Sequence, residues 1–216
     1  MNRMTEHHPT HDYLPAAGRD AYLPFYDLFT RTLGVTAIHD NLIRQAALAT
    51  GQRVLEIGCG TGNLSLRAAR TQPGVDVLGT DPDPLALARA ERKIRAGQSI
   101  RFERAYAQEL PYADGAFDRV LSSLMLHHLD DDAKTATLAE VARVLRPGGS
   151  VHIADFTGEA RGAHGFLSRR MRKAGHVTDD IPGFLRAAGL QAIETSTRHH
   201  RVIGGVAYYR ATARVR

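Results

Sequence analysis

The sequence predicts an α/β protein built on a mostly parallel sheet with helices on both faces. Residues 54–62, VLEIGCGTG, have the pattern of a buried strand that ends in a glycine-rich turn, and residues 63–70 can continue as a helix. A second apolar strand, residues 75–81, ends on a carboxylate. Strands and helices then alternate over half of the chain, which is typical of a parallel sheet.

The glycine-rich turn predicts a cofactor site at the carboxyl edge of this sheet. Gly58, Gly60 and Gly62 supply the positive φ angles and the close backbone approach that such a turn needs. Glu56 adds a carboxylate just before the turn. Asn63 stands where dinucleotide-binding turns place a third glycine, so the spacing disfavours a pyrophosphate ligand. An ordinary strand-to-helix turn is the alternative.

Asp81 ends the second strand, at a position where a carboxylate can accept hydrogen bonds from both hydroxyls of a ribose. Enzymes that bind nicotinamide cofactors place an acid at the same point. Asp81 alone therefore does not separate the two cofactor classes, and it can also serve simply as the turn residue before a helix that begins near Pro84.

Four stretches together resemble the class I S-adenosylmethionine-dependent methyltransferases, in particular the small-molecule type of ubiquinone and menaquinone biosynthesis. They are the glycine-rich turn, the strand ending in Asp81, residues 105–120 (AYAQELPYADGAFDRV) and residues 120–155. The resemblance covers residues 51–156. Within it, the spacing of Leu138, Val141 and Leu145 predicts one face of a helix that Pro147 and the following glycines stop. The resemblance implies a Rossmann-like sheet of seven strands, the last inserted antiparallel, with S-adenosylmethionine as cofactor. Acidic side chains beside a glycine-lined backbone suit the ammonium and ribose of that molecule.

The resemblance also implies particular cofactor contacts. Asp81 matches the acid that binds the ribose, and Pro82 matches the residue that packs on the adenine. Tyr106 stands where the family usually has an aspartate that takes the adenine amino group; it is expected to stack or hydrogen-bond there, or else to be a partly buried tyrosine. The expected cofactor-binding residues are Tyr26, Glu56, Gly58, Cys59, Gly60, Gly62, Asp81, Pro82, Tyr106, Ala107, Gln108 and Ser123.

His127 and His128 are the candidate general bases. They follow the fourth strand near the expected position of the transferred methyl group, and histidine titrates near neutral pH. A structural role is the alternative, because methyl transfer depends largely on alignment and exclusion of water and can proceed without a dedicated base. Weaker candidates for the same role are Asp155, His164, His176 and Tyr22.

The chain is expected to form one domain, residues 1–216, in three parts. Residues 1–49 are predicted to form a helical cap, residues 50–156 the cofactor-binding core, and residues 157–216 a substrate-side insertion followed by a hairpin of the sixth and seventh strands. Tyr26 lies on the cap, where the family often has a tyrosine over the cofactor; packing into the core is the alternative.

Composition limits the partners. The net charge is +5, but nearly all basic residues are arginines, which weakens any inference to nucleic acid, and none is expected. The densest basic stretch, residues 161–173, is interpreted as a solvated helix face, with contact to an acidic substrate or partner as the alternative. No apolar run approaches the ~20 residues of a membrane span. Residues 1–10 lack a signal-peptide core, so a cytoplasmic location is expected.

Cysteine and histidine usage predicts neither a disulfide nor a metal site. Cys59 is the only cysteine and is interpreted as a small residue filling space in the turn. His7, His8 and His11 lie together in a polar terminus without a nearby cysteine, and they are interpreted as solvated.

The sequence thus predicts a methyltransferase that uses S-adenosylmethionine on a small-molecule acceptor. The acceptor, the methylated atom (O, N or C) and the oligomeric state are left open. Two alternatives remain. One is a protein of the same fold that binds the cofactor without methylating, or regulates a partner; the other is a nicotinamide-dependent oxidoreductase, which Asn63 disfavours.

Overall fold

The computed structural model describes residues 34–157, 180–200 and 204–215. The strands are β1 (Arg53–Ile57), β2 (Asp76–Asp81), β3 (Ile100–Arg104), β4 (Phe117–Ser123), β5 (Leu145–Phe156), β6 (Gln191–His200) and β7 (Gly204–Thr212). The helices are α1 (Val35–Ala46), α2 (Asn63–Thr71), α3 (Pro84–Glu91), α4 (Asp131–Val144) and α5 (Ile181–Ala187). A short 3-10 turn, Leu126–His128, follows β4.

The strands form one seven-stranded sheet in the order β3-β2-β1-β4-β5-β7-β6. The pairs from β3 across to β5 are parallel, whereas β7 runs antiparallel to both β5 and β6. The predicted fold class, including the antiparallel last strand, is confirmed. The strand order steps from β1 outward in two directions, and ligands of such sheets bind at the carboxyl edge beside this point.

Two hydrophobic clusters cover the two faces of the sheet. One includes Leu55, Val120 and Ile153 with the apolar side of α4 and with α5. The other includes Val54 and Leu121 with the apolar side of α1 and with α2. Neighbouring residues of β1 and β4 contribute to opposite clusters, because successive side chains of a strand point to opposite faces. The sheet is therefore a rigid support for the loops at its carboxyl edge.

Local signals in the sequence explain where the helices begin. Asp83 caps α3, accepting hydrogen bonds from the backbone N–H groups of Leu85 (2.8 Å) and Ala86 (3.2 Å), and Pro84 occupies the first turn. Asp130 caps α4 in the same way, through the N–H of Ala133 at 2.8 Å. Both caps fix helices that start next to the carboxyl edge.

One predicted boundary was wrong. The sequence interpretation continued the helix of α4 to Leu145 and placed its stop at the following proline and glycines. Instead α4 ends at Val144, and residues 145–149 already belong to β5, where Leu145 pairs with Phe117 of β4. An apolar residue such as Leu145 suits the buried face of a helix and a buried strand equally well. The spacing of apolar residues therefore could not decide whether Leu145 belongs to the helix or to the strand.

Several predicted features lie outside the described residues. They are the cap helix over residues 21–32, the basic stretch 161–173, and Tyr22, Tyr26, His7, His8, His11, His164 and His176. Within the described ranges, no helix has both the length and the apolar character that a membrane crossing requires.

Replacing Gly62 by alanine is expected to destabilise the fold. Gly62 has φ of +75°, and a Cβ there would lie 2.6 Å from Cζ of Phe102 and 2.7 Å from Cβ of Ala90. Overpacking of this kind costs about 1–3 kcal/mol, in addition to the strain of the positive φ. Gly97→Ala is the matched control, because its φ is +81° and the added Cβ meets nothing within 4 Å. Urea unfolding measures the free energy of unfolding of each variant. An equal decrease for Gly62→Ala and Gly97→Ala would contradict the packing argument.

Candidate cofactor-binding site

A cleft of about 540 Å³ opens at the carboxyl edge of the sheet. The end of β1 and the turn after it contribute Glu56, Gly58, Cys59 and Gly60 to its lining. These are four of the residues that the sequence assigned to the cofactor. Because the cleft is lined by several loops, it can enclose a ligand much larger than a water molecule.

The ends of β2 and β4 and the segments after β2, β3 and β4 supply seven more of the predicted residues. In chain order these are Asp81, Pro82, Tyr106, Ala107, Gln108, Ser123 and His128. Parallel strands bring the ends of β1, β2 and β4 to the same edge, so residues far apart in the sequence meet here. Gly62 and His127 do not line the cleft.

The backbone of the glycine-rich turn adopts conformations that only glycine accepts readily. Gly58 and Gly60 have φ of +65° and +51°. A Cβ on Gly58 would overlap Cγ of Met125, so that position has no room for a side chain. Cys59 is buried, and burial, followed by the nearby Glu56 and Asp81 carboxylates, raises the pKa of its thiol. A protonated Cys59 fits a space-filling role.

Glu56 places a buried carboxyl group in the cleft. Its side chain is 3% exposed, and its Oε2 accepts a hydrogen bond from the hydroxyl of Ser65 on α2. Burial raises the pKa of Glu56 to about 8; the Asp81 carboxylate adds to the increase, and the Ser65 bonds oppose it. The cleft therefore holds a carboxyl group that a bound cation would ionise.

Asp81 is a second buried carboxyl group, and it organises the backbone around it. Its Oδ2 accepts from the N–H of Gly60 at 2.7 Å, and its Oδ1 accepts from the N–H of Asp83 at 3.0 Å. Burial raises the pKa of Asp81, while these two bonds partly offset the increase. Asp81 thus joins the end of β2 to the glycine-rich turn after β1.

Asn63, at the place of a third glycine, is anchored by neighbours. Its Oδ1 accepts from Nζ of Lys93 at 3.1 Å, and its Nδ2 donates to Oγ1 of Thr61 at 3.3 Å. Lys93 also donates to the carbonyl of Thr61 at 2.9 Å. Gly62, one residue earlier, instead permits the close packing of α2 on Phe102. A side chain therefore fills the place where a dinucleotide turn has a bare backbone.

The two adjacent histidines lie in different environments. His128 is exposed and lines the cleft. His127 is 5% exposed, and its Nδ1 lies 2.7 Å from Oδ1 of Asp155 at the end of β5. The rings of the two histidines have centroids 4.0 Å apart. Of the pair, only His128 can meet an acceptor directly.

Asp155 holds the 3-10 turn that carries these histidines. It is 1% exposed and accepts from the backbone N–H of His127 at 3.2 Å and of Phe156 at 2.8 Å. Burial opposes its ionisation, but the contacts with His127 and the backbone outweigh burial and lower the pKa of Asp155. An ionised Asp155 therefore fixes the position of His127 behind the cleft.

Sequence reasoning missed several lining residues, among them Val35 and His39 of α1. They are four residues apart and share one face of that helix. The helical cap was predicted over residues 1–49, but the side chains on its cleft-facing side were not singled out. Burial, then the charge of Arg67, lowers the pKa of His39 to about 4, against the opposing effect of Asp40. Leu124 also lines the cleft, with a strained φ of +54°.

Comparisons with known proteins identify the family of this chain. Residues 54–149 match a family model described as a methyltransferase domain. The demethylmenaquinone methyltransferase of Thermus thermophilus is 38% identical over 150 residues, which are 68% of this chain and 67% of the relative. That of Deinococcus radiodurans is 37% identical over 152 residues, covering 68% and 61%. The chain thus spans about two thirds of these relatives' length.

Solved structures share the fold. A phosphoethanolamine N-methyltransferase of Haemonchus contortus, in complex with S-adenosyl-L-methionine, superposes with a TM-score of 0.72 at 16% identity, covering 93% of this chain and 58% of that one. The [4+2]-cyclase SpnF superposes with a TM-score of 0.69 at 21% identity, covering 83% and 82%. At these identities the likeness concerns the fold alone.

The fold and the cleft define a Rossmann-like cofactor-binding protein. Together with the relatives, they show that the chain belongs to the class I S-adenosylmethionine-dependent methyltransferases, of the menaquinone type. Family membership implies S-adenosylmethionine as the cofactor.

Proposed function

We propose that this protein transfers a methyl group from S-adenosylmethionine to a small-molecule acceptor. The observation that carries the proposal is the pair of buried carboxyl groups, Glu56 and Asp81, on either side of a glycine-lined backbone in one cleft. Carboxyl groups suit a ligand that bears an ammonium and ribose hydroxyls, and they offer no positive charge to a phosphate. The cleft therefore fits this cofactor better than a dinucleotide.

Each part of the cleft has a role in holding the cofactor. Asp81 binds the ribose hydroxyls, and Glu56 neutralises the ammonium of the methionine moiety. Gly58 and Gly60 let the backbone approach, since a side chain at Gly58 would collide with Met125. Pro82 packs on the adenine, whose edge meets the backbone of Ala107 and Gln108, with Tyr106 beside it. Bound S-adenosylmethionine supplies an electrophilic methyl group.

The 3-10 turn after β4 provides the acceptor side. His128 lines the cleft and accepts a proton from the acceptor where the methylated atom carries one. Asp155 holds His127 through the Nδ1 contact, and the tilted ring of His127 packs against that of His128 from behind, with centroids 4.0 Å apart. Alignment of the acceptor and exclusion of water do the rest, and oriented binding alone can lower a barrier by ~7–11 kcal/mol.

The acceptor is a small molecule, as in the relatives named for demethylmenaquinone. An acidic acceptor is the finer alternative, because residues 161–173 are the densest basic stretch of the sequence; they lie outside the described residues. We place the protein in the cytoplasm, where a reducing environment keeps the free, buried Cys59 as a thiol.

Turnover decides the proposal. Purified protein is incubated with S-adenosylmethionine and a panel of acceptors that carry a hydroxyl group, an amine or a nucleophilic carbon, including reduced demethylmenaquinone. The S-adenosylhomocysteine formed is then measured. Acceptor-dependent S-adenosylhomocysteine supports methyl transfer. Cofactor binding without turnover on any acceptor supports the alternative of a non-methylating protein, which the fold shared with the cyclase SpnF keeps open.

The nicotinamide alternative is tested by thermal shift. We expect S-adenosylmethionine and S-adenosylhomocysteine to raise the unfolding temperature and NAD to leave it unchanged, because Asn63 and Lys93 fill the third-glycine position. Stabilisation by NAD alone would overturn the proposal.

Replacing Asp81 by alanine is expected to weaken S-adenosylhomocysteine binding by roughly ten- to a hundred-fold, the value of a hydrogen bond to a charged group. Asp83→Ala is the matched control. Asp83 is buried and lies two residues after Asp81, but it caps α3 and does not line the cleft. Loss of that cap costs stability of about 1 kcal/mol and leaves affinity intact. Calorimetric titration that finds equal affinity for Asp81→Ala and the wild type removes Asp81 from the ribose site.

A further inference from the structure

A hydrogen-bond network fastens the segment between β3 and β4 onto α4. The start of this segment, Tyr106 to Gln108, lines the cleft. The continuation, residues 109–116, leads to β4 without helix or strand structure. Irregular segments move more than strands unless other groups hold them, so the contacts of this continuation decide how firmly the cleft-lining part is placed.

Arg143 of α4 binds three points of the continuation. Its Nη2 donates to the carbonyl of Leu110 at 2.9 Å, and its Nη1 donates to the carbonyl of Tyr112 at 2.6 Å and to Oδ1 of Asp114 at 2.9 Å. The carbonyl of Arg143 accepts from the N–H of Gly115 at 2.9 Å. One side chain thus satisfies backbone groups spread over several residues.

Glu140, one turn earlier on α4, completes the arrangement. Its Oε2 accepts from the N–H of Leu110 at 2.8 Å, and its two oxygens accept from Nε and Nη2 of Arg143, each at 2.7 Å. Both backbone polar groups of Leu110 are therefore bound by this ion pair. We call Glu140 and Arg143 the α4 clamp; neither residue lines the cleft.

The segment is also held from the side of β3. The hydroxyl of Tyr112 donates to Oε2 of Glu103 at 2.8 Å, and its ring packs edge-on against Phe117 at 5.3 Å between centroids. The N–H of Glu109 donates to the carbonyl of Tyr106 at 3.1 Å. A tight turn over residues 106–109 therefore connects directly to the clamped Leu110.

The clamp matters most because of the residue at position 106. Tyr106 has no carboxylate that could accept a hydrogen bond from the adenine amino group. Backbone groups of Ala107 and Gln108 then meet the adenine edge, beside Tyr106. Backbone groups discriminate between bases only if their position is fixed to a fraction of an ångström.

We propose that Arg143 and Glu140 are positioning residues that fix the backbone at residues 106–108 and so set the preference of the cleft for an adenine ring. This inference rests on the proposed function. The clamp needs the arginine fork, because a guanidinium offers several donors in fixed directions, whereas a lysine ammonium is a single point charge.

The test is a comparison of two ligands, S-adenosylhomocysteine and S-inosylhomocysteine; in the latter, the 6-amino group of the purine is replaced by a carbonyl and N1 carries a proton. We expect the wild type to prefer the adenine compound by about tenfold, the value of one good hydrogen bond. Arg143→Lys is expected to reduce the ratio of the two dissociation constants to below about threefold, and amide hydrogen exchange at Leu110 and Gly115 should accelerate.

Arg67→Lys is the matched control. The side chain of Arg67 is 32% exposed, as is that of Arg143, and it also forms a two-pronged bond, to Asp40, that ties α2 to α1. It contacts neither the continuation nor residues 106–108. We expect it to lose stability to a similar degree and to keep the adenine preference, which separates positioning from general loosening of the fold.

Glu140→Gln provides a second variant that preserves side-chain size, and it decides the matter if Arg143→Lys does not fold. If a clamp variant folds, binds S-adenosylhomocysteine and keeps the wild-type preference for adenine over hypoxanthine, the positioning role of the α4 clamp is refuted. The proposed function is then unaffected. A wild type that does not bind S-adenosylhomocysteine overturns both.

Discussion

Replacing His128 by alanine is expected to lower turnover by ~10²–10⁴-fold, the usual contribution of a general base. His128 lines the cleft and is exposed to it, whereas the adjacent His127 is buried against Asp155. The affinity for S-adenosylhomocysteine should stay within about twofold of the wild type, because the loss falls on proton removal rather than on cofactor binding. Single-turnover kinetics together with calorimetry measure the two effects separately.

His127→Ala serves as the contrasting variant. It leaves Asp155, 1% exposed, without its ring partner, and an uncompensated buried charge is strongly destabilising. We therefore expect His127→Ala to lower the unfolding temperature more than His128→Ala does. If His128→Ala turns over at the wild-type rate, alignment and desolvation suffice and His128 is only part of the cleft wall.

The meeting of the β1 and β2 ends in one cleft could be predicted from the sequence for a topological reason. The glycine-rich turn and Asp81 each follow an apolar strand, and neighbouring parallel strands must end at the same edge. Local patterns therefore determined that Glu56, Gly60 and Asp81 would meet, and the 2.7 Å bond from Gly60 to Asp81 is a direct product of that pairing.

The remaining features depend on contacts that no local pattern encodes. Lys93 reaches back to Thr61 across 32 residues, and Arg143 reaches Leu110 across 33. Gly62 was predicted as a cofactor contact, yet its missing side chain makes room for Phe102, because the space beside it depends on how α2 packs on the sheet. Spacing in a sequence identifies which residues follow a strand, and packing decides what each one faces.

Cofactor affinity is expected to increase as pH rises, up to about pH 8. The pKa of Glu56 is raised to about 8 by burial, so the empty cleft holds a neutral carboxyl group at pH 7. A bound ammonium favours the ionised form, and binding must then release a proton. Below pH 8 each unit of decrease should weaken binding by about tenfold, since one pKa unit corresponds to roughly 1.4 kcal/mol. His39, with a pKa of about 4, does not titrate in this range.

The free protein should show the opposite dependence. A carboxyl group whose pKa is raised on folding stabilises the folded state fully below its unfolded value of 4.5 and loses that contribution as pH rises towards 8. Ligand-free stability therefore falls over the interval in which S-adenosylmethionine affinity rises. Glu56→Gln should remove both dependences and bind more weakly at pH 8. Titration calorimetry at pH 7 in two buffers of different ionisation enthalpy counts the protons; release of none, with an affinity independent of pH, would show that Glu56 does not face the ammonium.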